Sequence, residues 1–374
     1  MTHRRKLLQT LGWIGSAAAA ACCLSNRSAL ESPSEESAVS EPVVKWQLAA
    51  SWPESLDLLF GGAQFLCDRV ATITNGQFQI TPSPANVLAP ALEVIDAVMA
   101  GTVECGHTGS HYGFNKSPAL AFMSGLPFGL NTQQQNAWLY RGDGLTSLEG
   151  IYRELGLVHF PVANTGAQMG GWFTAPVNTL EDLQGLRMRI VGMGGQVMER
   201  LGATVQRLGA DDIVPALASG QIDAAEWIGP YDDKRLGLHK VASYYYYPGW
   251  WTPSEAIDLM INRQAWDALP RRFQVALKLA AAEANLTVMN RYTVANARAL
   301  RTLLDQGVQL QSFDSELLAI AQQTAFDLYA EIAANDSAFA RIYTQWQGFR
   351  DRVVQWNSIN ELSFAATVFA QPEL

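Results

Sequence analysis

The chain has 374 residues, 48% of them hydrophobic and 16% charged. That length implies two domains with room for real cores, and the apolar fraction excludes a chain disordered throughout. Lys and Arg number 26 against 35 Asp and Glu, a formal charge of −9, which argues against a nucleic-acid partner.

Arg4, Arg5 and Lys6 precede an Ala-rich apolar run from Leu11 to Ala21. A basic region followed by an apolar core too short to span a bilayer marks residues 1–22 as a signal peptide. The paired arginines also admit twin-arginine export. Ala19-Ala20-Ala21-Cys22 resembles a degenerate lipoprotein site, so either Cys22 carries a lipid anchor or ordinary cleavage removes both Cys22 and Cys23. Residues 23–42 are rich in Ser, Glu and Pro and read as a disordered tether, with an r.m.s. reach of about 20–25 Å. No later stretch is apolar enough to cross a membrane, so the expected location after signal removal is outside the cytoplasm. Only Cys67 and Cys105 remain in the body, without framework spacing, and they read as buried free thiols.

Loss of residues 1–21 removes three bases, leaving 23 against 35 acids, or −12. Loss of everything through residue 42 also removes Arg27 and four glutamates, leaving 22 against 31, again −9. The body is therefore acidic in its own right.

Ordered structure should begin at Val43. Lys45 to Trp52 reads as a strand ending in a loop, and Asp57 to Ile73 as a helix with Phe60, Ala63, Phe65, Leu66 and Val70 on its core face. Asn75-Gly76 is a turn, and Gln77 to Ile80 alternates as a strand. A helix over Leu92 to Ala100 and a strand over Val103 to Gly106 follow. A second βα series is expected from Val158, with strands at Val158–Ala163, Gly185–Val191 and Asp223–Trp227. Helices should lie near Leu180, Gly195 to Leu201 and Ile213 to Ser219. A strand from Glu255 to Ile261 would carry the chain back. This alternation predicts an α/β architecture.

The longest element runs from Pro270 to Gln306 without an internal Pro or Gly, and Gly307 ends it. Phe273, Leu277, Ala280, Ala284, Val288, Tyr292, Ala295, Ala299 and Leu303 recur in steps of three and four. Such a helix would be roughly 55 Å long, more than one small domain, so it should cross both.

Several catalytic motifs fail. Gly192-Met193-Gly194 suggests a dinucleotide turn, but the third glycine position is Val197. There is no Gly-x-Ser-x-Gly elbow and no phosphate loop. Cys105 and His107 lack partners at zinc spacing, and His111 and His159 come with no obvious nucleophile. No catalytic constellation announces itself, and an enzyme is thus the weakest reading.

Polar and aromatic residues instead gather at expected strand ends, where ligands sit in open α/β sheets. They are Ser51-Trp52-Pro53, Gly109 to Tyr112, Asn164 to Trp172, Glu226 to Asp233, and Tyr244 to Trp251. Two facing domains would make an aromatic cleft suited to a small organic ligand.

The runs GHTGSHYG, NTGAQMGGWF, LRMRI, VMERLGA, DAAEWIGPYDD and YYYYPGWW resemble the solute receptors of TRAP transporters, DctP type. They are most similar to the branch that binds monocarboxylate 2-oxo acids such as pyruvate. The resemblance covers residues 44–360. It implies a two-domain periplasmic solute-binding protein with a cleft between the domains and closure over the ligand. The domains would be residues 43–162 with 249–285, and 163–248 with 300–374, linked by the long helix 270–306.

The resemblance also implies an arginine that pairs with the ligand carboxylate, falling on Arg189. Arg187 shares its strand parity, so alternation alone leaves both open; a planar guanidinium fork suits the task at either. A cation is implied at Gln168, Glu226 and the main-chain carbonyl of Trp227, sodium in the 2-oxo-acid branch, with calcium the other candidate. Relatives often place an acid immediately after the second Trp, where this chain has Thr252-Pro253-Ser254-Glu255. Asn164, Tyr112, Trp52, Trp250 and Trp251 would contact or wall the ligand. The implied partner is the TRAP membrane permease, and the segment after Phe313 would serve either a monomer or a homodimer. The rival reading on the same scaffold is a lactate or dicarboxylate receptor using calcium.

Overall fold

The computed structural model of the chain describes residues 43–369; the expected signal peptide, Cys22 and tether lie outside them. The strands are β1 (Val44–Ala50), β2 (Phe78–Ser83), β3 (Cys105–Thr108), β4 (Leu157–Asn164), β5 (Trp172–Phe173), β6 (Arg187–Arg189), β7 (Thr204–Gln206), β8 (Ala224–Ala225), β9 (Tyr244–Tyr247), β10 (Ala256–Asn262) and β11 (Gln309–Ser312).

They form two sheets. The first has the order β2-β1-β3-β10-β4 and the second β11-β9-β5-β8-β6-β7. In the first sheet β1 runs parallel to β2 and β3, whereas β10 is antiparallel to both β3 and β4. β10 reads AIDLMIN and is buried along nearly its whole length. A central strand covered on both faces has no reason to alternate. The strand expected to open a second series, β4, belongs to this first sheet. Its pairing with β10 skips Val162, next to Pro161. A proline cannot donate to the ladder, and a bulge absorbs the lost bond.

The return strand expected over Glu255–Ile261 is β10, and the expected strands at Gly185–Val191 and Asp223–Trp227 are the short β6 and β8 of the second sheet. The helix Leu59–Ile73 buries Phe60, Ala63, Leu66, Cys67 and Val70. Cys67 and Cys105 are buried free thiols.

The long helix spans Arg271–Asp305, 35 residues and about 53 Å. Phe273, Leu277, Ala280, Ala284, Val288, Tyr292, Ala299 and Leu303 are buried along one side. It packs on β4 and helix Leu59–Ile73, and also on helix Pro230–Leu236 beyond the second sheet's β8. One rigid element therefore joins both halves. The C-terminal helices divide: Ser315–Asn335 packs on Gly192–Arg200, and Ser337–Ile359 packs on Thr132–Arg141 and Gly144–Glu154. The helices over Ser315–Asn335 and Ser337–Ile359, within the 300–374 expected with one domain, thus touch both halves. Among the described residues no helix is long and apolar enough to cross a membrane.

Candidate functional site

Between the two sheets lies a cleft with about 490 Å³ of empty volume, its mouth included. Its walls come from segments far apart in the chain. Trp52 follows β1, His111 and Tyr112 follow β3, and Ser124 and Gly125 close that side. Arg189 and Gly192 to Gly194 come from β6 and the helix after it, Glu226 to Ile228 from the end of β8, and Trp251, Thr252 and Glu255 from the approach to β10. These are strand ends, as expected for α/β sheets.

Arg189 is 1% exposed. Its Nη1 donates to the Glu226 carbonyl at 2.7 Å and to Glu226 Oε2 at 2.8 Å, and its Nε donates to the Leu208 carbonyl at 3.1 Å. The guanidinium lies 4.9 Å from the Trp227 ring centroid. Arg187 points elsewhere: Asp223 takes both arms of its guanidinium at 2.8 and 2.6 Å in a half-exposed pair. Of the two arginines that parity left open, Arg189 lines the cleft and Arg187 does not.

Two carboxylates sit with Arg189. Burial pushes Glu226 up to about 8; Arg189 opposes that shift, while Glu255 and Asp233 add to it. Glu255 is also buried. Its Oε2 accepts from Gln168 Nε2 at 2.7 Å, and its Oε1 lies 2.7 Å from His111 Nδ1. Gln168 Oε1 is buried without a hydrogen-bond partner. A buried amide oxygen left unpaired on a side chain held by Glu255 asks for a positive charge. No three His, Cys, Asp or Glu side chains converge as a metal group among the described residues. A cation here would therefore rest on a mixed oxygen set, and oxygen donors suit sodium or calcium.

The walls are fixed from behind. His107 is held neutral, its pKa lowered to about 3 by burial, and its Nδ1 accepts from Trp52 Nε1 at 2.8 Å. That bond turns the indole toward the cleft. Asp233 accepts from Trp172 Nε1 at 2.9 Å, Tyr245 Oη at 2.8 Å, Ile228 N at 3.2 Å and Gly229 N at 3.0 Å. It thereby shapes the turn leaving Trp227. Gly249 brings the Pro248–Thr252 turn against the Gln168 loop: a Cβ there would meet the Gln168 carbonyl at 2.3 Å. Gly192 has φ +62°, and a Cβ on it would press on His111 at 2.9 Å. The incomplete dinucleotide motif is thus a tight strand-to-helix turn lining the cleft.

Two expected ligand residues stand outside the lining. Asn164 is fully buried, donating to Ser254 Oγ at 3.1 Å and accepting from Gly166 N at 2.8 Å; it shapes the loop that carries Gln168. Trp250 stacks on Phe128 with centroids 5.0 Å apart, and Trp251 faces the cleft instead. The tyrosine run is β9, and its residues pack in the second sheet: Tyr245 stacks on Trp172, and Tyr246 lies 4.8 Å from Phe313. His111, Gly192, Gly194 and Glu255 are site residues to which sequence reasoning gave no role. GHTGSHYG and a Gly-x-Gly after a strand were the available signals.

A two-sheet receptor with a small polar cleft and one buried arginine is the class that fold and site define. Residues 48–336 match the bacterial extracellular solute-binding protein family 7, DctP, and the chain belongs to this family. It is 51% identical over 323 residues to a monocarboxylate 2-oxoacid-binding periplasmic protein of Nostoc sp., covering 86% of this chain and 88% of that one. A TRAP transporter solute-binding protein of Bordetella bronchiseptica is 41% identical with a TM-score of 0.86, covering 88% of this chain and all of that one. Its crystal is a mixed-occupancy dimer with copurified calcium and picolinate in one site. A TRAP periplasmic protein of Pseudoalteromonas atlantica with bound sodium and pyruvate is 32% identical with a TM-score of 0.83, covering 86% and 98%.

Proposed function

We propose that this chain is the periplasmic receptor of a TRAP uptake system, capturing small monocarboxylate 2-oxo acids together with a bound cation for a membrane permease. The observation that carries the reading is a small cleft lined by one buried arginine, Arg189, paired with Glu226, and by a second buried glutamate, Glu255, against which Gln168 sets an unpartnered amide oxygen from behind the lining. Arg189 is already engaged by Glu226 and His111 by Glu255, which leaves no surplus positive charge for an anionic ligand. A cation held by Gln168, Glu226 and Glu255, with the Trp227 carbonyl added, restores that balance. Bound there, it supplies a Lewis-acidic contact for the ligand's oxygens.

Arg189 binds and orients the carboxylate through its guanidinium; a charge-assisted bond of this type contributes about 1.5–3 kcal/mol net. Trp52, Tyr112 and Trp251 exclude water around the short carbon chain. The lining offers one guanidinium, which matches a monocarboxylate better than a dicarboxylate. The cleft residues serve capture and release of the ligand. Dimerisation through the C-terminal helices is part of the same proposal, supported by the exposed Trp356, Leu362 and Phe364 and by the dimeric crystal of the Bordetella relative.

A thermal-shift panel tests the reading. A ligand that binds the folded state raises its apparent stability. Pyruvate with sodium or calcium should raise the midpoint by several degrees, lactate and succinate less. A larger shift with succinate than with pyruvate would contradict it.

A further inference from the structure

We propose that Asp57 is a positioning residue for ligand binding: it fastens the loop carrying Trp52 to the helix that follows Glu226 and Trp227, and so sets how long the cleft stays shut. This rests on the reading of the cleft as a carboxylate site.

Asp57 lies between β1 and helix Leu59–Ile73, on the first-sheet side. Tyr231 Oη, on helix Pro230–Leu236, donates to its two carboxylate oxygens at 3.0 and 3.2 Å. Arg235 of the same helix approaches it at 3.3 Å and donates from Nε to the Ser55 carbonyl at 2.6 Å. Arg291 of the long helix approaches at 3.8 Å. Tyr231 N in turn donates to Asn296 Oδ1 of the long helix at 3.0 Å. One carboxylate therefore collects groups from the second-sheet side and from the helix joining both halves.

Each flank leads directly to a cleft wall. Trp52 stands five residues before Asp57, and Ile228 three residues before Tyr231. None of Ser55, Asp57, Tyr231 or Arg235 lines the cleft. Their effect on a ligand must act through the closed arrangement and not through contact. The clasp is partly open to water, with the Asp57 side chain 41% exposed. Each of its ion pairs is consequently screened and weak, so the clasp is strong enough to bias closure and weak enough to release.

Opening precedes ligand escape, so loss of the clasp should act on dissociation. Stopped-flow mixing with pyruvate in sodium buffer compares the wild type with Asp57→Ala, Tyr231→Phe and the double variant. Expected are a dissociation rate raised about three- to tenfold in Asp57→Ala and an association rate changed less than about twofold. The ligand-free melting midpoint should stay within about 2 °C, Asp57→Glu should partly restore the rate, and the double variant should be no worse than Asp57→Ala. An unchanged dissociation rate in Asp57→Ala overturns the clasp, as does a loss confined to association. A wild-type chain that ignores pyruvate contradicts the ligand reading instead. The clasp is then judged by hydrogen exchange: Asp57→Ala must accelerate the amides of residues 228–236, and unchanged exchange there overturns it.

Discussion

Arg189 does two jobs, and they pull a mutation in two directions. It faces the cleft, yet it also satisfies the Glu226 carbonyl and carboxylate and the Leu208 carbonyl. Arg189→Ala would leave Glu226 buried without its partner, and breaking a buried pair costs about 3–5 kcal/mol. The cleaner probe is Arg189→Lys, which keeps the charge and loses the planar fork. It should weaken pyruvate binding roughly ten- to a hundredfold, with a folded circular dichroism spectrum; calorimetry giving wild-type affinity would remove Arg189 from the site. At this scale much was legible. Arg189, Glu226, Gln168, Trp227, Tyr112 and Trp52 all fall in motif runs at strand ends, and all but Gln168 line the cleft. Glu255 was not assigned, because the expected acid position holds Thr252 and the carboxylate arrives from three residues later. Trp250 and Trp251 sit in an irregular turn, where no periodicity says which indole faces in.

The helix Pro230–Leu236 shows how an element serves a site it does not touch. It carries Asp232 and Asp233 into the interior, where Asp232 accepts from Tyr292 of the long helix at 2.5 Å and Asp233 closes the turn behind Trp227. Burial raises Asp232 from its ordinary 3.8 to about 7 and Asp233 to about 6. A carboxyl whose folded pKa is raised holds its proton longer folded than unfolded. The folded state thus loses relative stability as pH climbs between about 4 and 7. Asp232→Asn keeps an acceptor for Tyr292 and removes one of the two titrations. Melting midpoints should fall from pH 5 to pH 8 in the wild type and fall less in Asp232→Asn; equal falls would clear Asp232 of this role. Among elements, the long helix was legible to within a residue at each end, because its steps of three and four never break. The short strands β6 and β8 were legible only as neighbourhoods, and β5 was not read as a strand at all: two or three residues cannot establish a period. Placing β4 with the second series failed because alternation along a strand shows which face is buried and not which sheet the strand joins.

On the scale of the whole molecule, the governing fact is an acidic body that has to hold an anion. The long helix and the Asp57 clasp tie two sheets around a cleft whose own charges nearly cancel, so the ligand's charge has to be met by something that arrives with it. Such a receptor is insensitive to the protein's overall −9, because the deciding field is local and screened from the surface. Fold class and family were legible from the α/β alternation and the strand-end motifs. The division of the C-terminal helices between both halves was not, since amphipathic helices reveal that they pack but not on what.

The most direct measurement is a calorimetric titration of the metal-stripped chain with pyruvate, alone and after addition of sodium or calcium. The account predicts tight binding with a cation and a loss of at least about a hundredfold without one, the scale of a buried uncompensated charge. Equal affinity in the presence and absence of both cations would contradict it.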